Sequence, residues 1–211
     1  ATAPAGPGIT RLSIGDPCRA GEPVAAAYDG FTYETRLDGD GNAAIDLLAM
    51  TPSAVAQIRF GDGETRRVPI APRGLDRIDR VMLVWRGPAE IDLHAHEGGV
   101  PAGEPGHVWR GTPGDPRRAS LRGGGFWTSH ASPATDGPRM QAYTWVAPRR
   151  DPVPFQLTRM RVDYRSRGTV AEPPFCAGHA LAEVAFETRT SRRGRVGAPS
   201  VARFGAVPCG Q

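Results

Sequence analysis

Residues 90–99, Glu90-Ile91-Asp92-Leu93-His94-Ala95-His96-Glu97-Gly98-Gly99, concentrate imidazoles and carboxylates more densely than any other stretch of this chain. On a strand, side chains alternate faces, so Asp92, His94 and His96 would line one side and Ile91, Leu93 and Ala95 the other. Neutral imidazole is the commonest protein ligand for zinc-like ions, which makes His-x-His on one strand face a workable start to a metal site. A third imidazole follows in Gly106-His107-Val108-Trp109, and a fourth, His130, comes after Trp127-Thr128-Ser129. His94, His96 and His107, completed by Asp92, Glu97 or His130, have the donor types of a three- or four-ligand zinc site, and by ligand type also suit copper. Glu97, beside His96, is placed to act as general base toward a metal-bound water. The competing reading makes these imidazoles half-buried hydrogen-bonding groups packed beside aromatics.

Two further groups could bind without catalysing. All four tryptophans, Trp85, Trp109, Trp127 and Trp145, fall near the histidines. They either fill a core, with their indole N–H groups satisfied nearby, or offer a platform to a sugar ring or a partner, with Trp109 and Trp127 the candidates. Arg189, Arg192, Arg193 and Arg195 cluster at what reads as an exposed hairpin tip, where Arg192 and Arg193 could meet an anionic partner. Nucleophilic catalysis finds little footing, because the chain has no Gly-x-Ser-x-Gly elbow and no His-Glu-x-x-His. Gly98–Gly106 and the triplet Gly123-Gly124-Gly125 imply turns or close backbone approach. They lack the strand–loop–helix setting of a phosphate-binding loop.

Composition bounds the class of protein that must position these groups. The 211 residues include 27 Gly and 21 Pro, which with regular short apolar runs implies many turns between strands. Every one of the 26 basic residues is Arg, a bias that reads as the mark of a GC-rich bacterial genome. The formal charge of +4 is uneven: residues 1–75 carry 7 Arg against 9 acids, and residues 76–211 carry 19 against 13. That asymmetry suits an acidic partner such as a polyanionic polysaccharide or phospholipid head groups, or is simply a solvated surface, whereas nothing resembles a nucleic-acid-binding motif. No window has the length and apolarity of a membrane span. The Ala/Pro/Gly-rich start, residues 1–8, reads as a flexible mature end after signal removal, which points to a secreted or periplasmic location. Of the three cysteines, Cys176 and Cys209 share the second half and are the favoured disulfide. Their loop of about 30 residues would make the bridge worth about 3–4 kcal/mol, leaving Cys18 free.

The elements read as strands almost throughout. Runs at Ile9–Ile14, Pro23–Tyr28, Thr32–Leu37, Ala43–Leu48, Ala54–Phe60 and Arg66–Ile70 are separated by turn signals such as Asp29-Gly30 and Asp38-Gly39-Asp40-Gly41. Asp38-x-Asp40-x-Asn42 fails as a calcium loop, with Ala43 where Gly is needed and Ala49 where Glu is needed, so a plain hairpin turn is expected there. Ala71-Pro72-Arg73-Gly74 is the expected boundary between a small sandwich, 9–73, and a larger one with long loops, 76–211. In the second, Asp79–Trp85 reads as a buried strand and Gly87-Pro88 as a turn returning Glu90–His96 antiparallel to it. Further strands are expected at Gly106–Arg110, Gly125–Thr128, Arg139–Val146, Pro154–Arg165, Leu181–Arg189 and Ser200–Phe204. No stretch shows a useful helical period. The expected fold is all-β: two antiparallel β-sandwich units, Ig-like or jelly-roll-like, with little or no helix.

Three resemblances accompany this reading. Ile91-Asp92-Leu93-His94-Ala95-His96-Glu97 resembles the first ligand motif of the amidohydrolase superfamily, but that fold is a (β/α)₈ barrel of about 250 residues and needs helical patterns this chain lacks. Residues 9–70, through Glu34-Thr35-Arg36-Leu37-Asp38-Gly39-Asp40-Gly41-Asn42-Ala43, are similar to carboxypeptidase-regulatory and transthyretin-like sandwiches, which implies an adhesive, stabilising or spacer role. Residues 79–97, with Trp85 followed by Asp92-Leu93-His94, are similar to the strand pair of tellurite-resistance-type calcium-binding sandwiches, which implies calcium held by Glu90 and Asp92. Together these features point to a non-catalytic secreted or periplasmic protein that binds or supports a protein partner in an envelope or extracellular assembly. The alternatives are a metal-dependent hydrolase built on the His-x-His site and a carbohydrate-binding module.

Overall fold

In the computed structural model, residues 1–52, 54–87, 89–148, 159–165 and 184–204 are described. The strands are β1 Thr2–Gly6, β2 Ile9–Gly15, β3 Pro23–Tyr28, β4 Phe31–Arg36, β5 Asn42–Leu48, β6 Ala54–Phe60, β7 Thr65–Ile70, β8 Ile78–Arg86, β9 Glu90–His96 and β10 His107–Val108. They continue with β11 Gly124–Ala131, β12 Pro138–Val146, β13 Arg159–Arg165, β14 Val184–Arg192, β15 Arg195–Val196 and β16 Ser200–Phe204. Among the described residues one α-helix, α1, spans Pro116–Arg122. The chain is therefore all-β and sandwich-like, with every described strand pairing antiparallel. No helix among the described residues is long and apolar enough to cross a membrane.

The first seven strands form two sheets, ordered β1-β2-β5 and β4-β3-β6-β7. Period-2 patterning sets what they bury: Val24, Ala26 and Tyr28 on β3, and Ala56, Ile58 and Phe60 on β6, all point into one core. β3 and β4 form a hairpin whose two-residue turn, Asp29-Gly30, has positive φ at both positions (49° and 82°). Asp29 then accepts from the Met50 and Thr51 backbone N–H groups, so the turn also anchors the chain leaving β5.

Two expectations need correcting here. Residues 1–8, read as a flexible end, contain β1, which pairs with β2 because the β2 edge would otherwise be left open. The Asp38–Asn42 turn is not a hairpin, because β4 and β5 lie in different sheets. Asp38 Oδ1 caps that crossing by accepting from the Asp40 and Asn42 N–H groups (2.9 and 2.8 Å).

The remaining strands form a central sheet, β11-β12-β8-β14-β15 with β16 also on β14, and a smaller sheet, β10-β9-β13. β9 does not return beside β8 as expected but crosses into the smaller sheet. The reason is the pairing of apolar faces. Ile91, Leu93 and Ala95 pack face to face on Leu83, Trp85, Tyr143 and Phe186, whereas a hairpin would set them side by side. The corner is closed by Trp85 Nε1 donating to Ala89 O (2.8 Å). β13 is in phase with β9: Met160, Val162 and Tyr164 stand opposite Ala95, Leu93 and Ile91. α1 was not anticipated, since its seven residues bury only Ala119. Its ends are nevertheless conventional, with Asp115 Oδ1 accepting from Arg117 N, Pro116 at the first turn and Gly123 after the last.

The other face of the central sheet meets the first seven strands. The apolar cluster that begins with Leu12 and Ile45 runs on past 71–74 into Ile78, Met82, Met140 and Ala142. Arg80, only 1% exposed, stands in that contact. Its guanidinium donates to Pro7 O (3.2 Å), Gly8 O (3.1 Å), Ala49 O (2.6 Å) and Thr144 Oγ1 (2.9 Å). Burial lowers its pKa to about 10. Ser191 Oγ adds a bond to Met50 O (2.7 Å), and Ser132 Oγ one to the Glu34 carboxylate (2.6 Å).

Candidate functional site

β9 brings Asp92, His94 and His96 to one face, as the alternation requires, and β10 sets His107 directly opposite His96. The rings form a slab. His96 lies on His107 with centroids 4.6 Å apart and planes 9° apart, and His94 lies 5.1 Å from His107 and 4.8 Å from Trp109. His94 (9% exposed) and His107 (7%) are buried.

The backbone partners assign the tautomers. A carbonyl only accepts, so His96 Nδ1, 2.9 Å from Val100 O, carries a proton. The Gly103 N–H donates to His107 Nδ1 (3.0 Å), so neutral His107 holds its proton on Nε2 and donates it to His94 Nδ1, 2.8 Å away. A metal-ligating imidazole needs its coordinating nitrogen unprotonated, and its other N–H normally faces an acceptor. His107 is arranged the opposite way: freeing Nε2 for an ion would bring a protonated Nδ1 against the Gly103 N–H. His94, His96 and His107 are thus brought together as the sequence suggested, but in this arrangement they do not fit zinc or copper. No group of three or more His, Cys, Asp and Glu among the described residues is disposed around a common ion position.

Asp92, 2% exposed, lies 3.1 Å from Arg110 Nε through Oδ1, and Arg110 in turn sits over the Trp109 ring. A carboxylate facing a guanidinium is poorly placed for calcium. Glu97, the candidate base, accepts from Tyr143 OH at 2.9 Å, and burial raises its pKa above the usual carboxylate value. Gly125 makes that contact possible, because a Cβ there would fall 2.2 Å from Glu97 Oε1 and 2.4 Å from Tyr143 OH. The glycine triplet therefore does serve close backbone approach. His130 stands apart from the other three imidazoles. It lies edge-on to Phe31 and Tyr33, with Nε2 3.2 Å from Glu34 O, and burial lowers its pKa.

None of the four tryptophans is exposed: Trp85 is buried, and Trp109, Trp127 and Trp145 are half-buried. Sequence reading missed Gln141, whose amide does the work of a missing strand. It accepts from Leu93 N (2.7 Å) and donates to Ile91 O (2.6 Å), satisfying the β9 edge that two-residue β10 leaves open. Cys18 is an exposed free thiol, and the bridge expected between Cys176 and Cys209 lies outside the described residues.

The hairpin tip holds Arg192, Arg193 and Arg195 as the sequence placed them, but Arg189 lies within β14, half-buried and paired with Glu187 (2.7 Å). Arg192 and Arg195 are directly opposed in the β14–β15 ladder, and Arg193-Gly194 turns with φ of 50° and 76°. The tip is pinned by Arg193 N donating to Ile78 O (2.7 Å) and by Gly194 lying against Pro52. Arg192, Arg193 and Arg195 are exposed and make no ion pair with any described residue. They line a surface cleft of about 1010 Å³ with Arg77, Asp79 and Trp145. Arg195, Asp79 and Trp145 were not singled out from sequence as one site, because only the strand order β12-β8-β14-β15 brings them together. No protein-family model matches this chain, and no curated protein is detectably similar to it.

Proposed function

We propose that this chain is a non-catalytic binding or structural accessory protein of a cell-envelope or extracellular assembly. It engages an anionic partner through the arginine-lined end of its central sheet. The carrying observation is the exposed trio Arg192, Arg193 and Arg195, which stand on a pinned hairpin without ion partners among the described residues. Two guanidiniums placed directly opposite each other repel, and a non-glycine residue at positive φ is strained. A bound anion relieves the first of these. With a Debye length of about 8 Å at physiological ionic strength, charges this close act on a partner as one patch. The placement outside the cytoplasm rests on sequence composition.

The His/Trp face is a weaker candidate for contact, since its rings are buried or half-buried and bonded to one another. The hydrolase alternative would need His94, His96 and His107 to release an ion site that their tautomers close, and the sugar-platform alternative would need Trp109 freed from His94, His107 and Arg110 and Trp127 freed from Gln141. The test has two parts. Protein purified without chelator is assayed for metal by elemental mass spectrometry and for ester and amide hydrolysis, beside His94→Ala/His96→Ala. One equivalent of zinc or copper, with turnover lost in the variant, overturns the proposal. The same protein is sedimented with envelope and matrix material from the producing organism. Salt-sensitive retention that Arg192→Gln/Arg193→Gln/Arg195→Gln abolishes supports the proposal, and absence of retention overturns it.

A further inference from the structure

Across β12, β8, β14 and β15, four residues stand directly opposite one another in register: Trp145 with Asp79, Asp79 with Arg192, and Arg192 with Arg195. Directly paired residues in antiparallel strands share a face, so the sheet presents one transverse rank of indole, carboxylate, guanidinium and guanidinium. Three strand spacings make that rank about 14 Å long. We infer that this rank is a binding site for an acidic polysaccharide, whose uronate carboxylates meet Arg192 and Arg195 and whose ring stacks on Trp145. The inference rests on the binding role proposed above and names its partner.

Each member of the rank has a matching group on such a ligand. Guanidinium pairs with carboxylate through two parallel N–H···O bonds and is weakly hydrated, so it gives up water readily. Trp145 packs on the core beneath the smaller sheet and also lines the cleft, so its cleft-facing part is what would meet the C–H side of a sugar ring. Asp79 is half-buried, with Oδ1 turned inward and buried without a donor, so its other carboxylate oxygen is the acceptor left for ring hydroxyls. A carboxylate in the middle of the rank would repel a bare polyanion but accept from a hydroxylated one. That distinction favours an acidic sugar over a simple phosphate chain. Arg77 is committed to Ala147 O and frames the cleft, and Arg193 at the tip adds long-range attraction.

The experiment is calorimetric titration of the whole chain with three probes: a galacturonic acid trimer, its neutral methyl ester, and inorganic tripolyphosphate. The acid trimer is expected to bind, with the ester and tripolyphosphate each weaker by about tenfold or more. Arg192→Gln/Arg195→Gln, a change at two exposed positions with folding checked by circular dichroism, is expected to lose about tenfold or more. Trp145→Phe should weaken the acid trimer while leaving the salt dependence unchanged, since it removes stacking and no charge. Equal binding of acid and ester, equal or tighter binding of tripolyphosphate, unchanged binding in the double variant, or no binding at all each overturns the assignment. If the trimer fails while envelope sedimentation persists, the glycan assignment alone falls. If both fail, the binding role falls with it.

Discussion

Replacing Arg80 by Met is the sharpest test of how the central sheet is held to the first seven strands. Met keeps much of the side-chain volume but removes every donor, orphaning the carbonyls of Pro7 and Ala49 and the Thr144 hydroxyl, while Gly8 O keeps the Ala49 N–H at 3.0 Å. A buried acceptor left without its partner costs about 1–3 kcal/mol, so three cost about 3–9 kcal/mol. Against this, the variant escapes the burden of a buried charge. The fall of the Arg80 pKa from its ordinary value to about 10 puts that burden at about 3 kcal/mol. The expected net loss is about 3 kcal/mol, with Arg80→Ala worse because it also leaves a cavity. For a chain of this size the change corresponds to a fall in Tm of about 6–12 °C. Urea denaturation followed by tryptophan fluorescence reads it as a lower midpoint at unchanged slope. A loss below about 1 kcal/mol at unchanged slope would refute the argument that Arg80 is the polar strut of this contact.

Three further outcomes follow from individual contacts. Gln141→Leu should cost about 2–3 kcal/mol, because the Leu93 N–H and Ile91 C=O are left unbonded, and hydrogen exchange should quicken at Leu93. Unchanged exchange there would count against it. Gly125→Ala should lower Tm by several degrees, since the new Cβ displaces the Glu97–Tyr143 pair, and a ring-current shift of Tyr143 by NMR would report the displacement. For His130, burial sets the folded pKa below its unfolded value of about 6.5, so the unfolded chain binds the proton first. Stability is therefore full above that value and declines as pH falls from there through the folded pKa. His130→Phe should flatten this part of the profile, and an unaltered profile would sink the assignment.

Much of the local structure was legible in the residues themselves. Pro23–Tyr28, Ala54–Phe60 and Glu90–His96 are strands at the expected limits, because period-2 burial and flanking turn residues fix both period and ends. The β14–β15 tip is legible for the same reason, with Arg193-Gly194 supplying the left-handed turn. Even α1 was signalled by Asp115, Pro116 and Gly123, but seven residues that bury one side chain show no period to read.

What the sequence could not decide is which faces meet, since any apolar strand face can be covered by any other of matching shape. Gly87-Pro88 reads as a hairpin turn, yet β9 leaves for the other sheet because burying Leu93 on Leu83 requires face-to-face packing. His94, His96 and His107 have the types and spacing of metal ligands. Only the fold, by setting the Gly103 N–H against His107 Nδ1, decides which nitrogen holds the proton and so what the rings can do. The Arg-lined rank is the clearest case. Asp79, Trp145, Arg192 and Arg195 span more than a hundred positions of chain, and they become neighbours only through the order in which four strands pair. Sequence by itself determined the strands, their alternation and the supply of arginine. Tertiary structure decided which side chains were consumed in holding the fold and which were left facing solvent, because burial and hydrogen-bond satisfaction are settled only between strands.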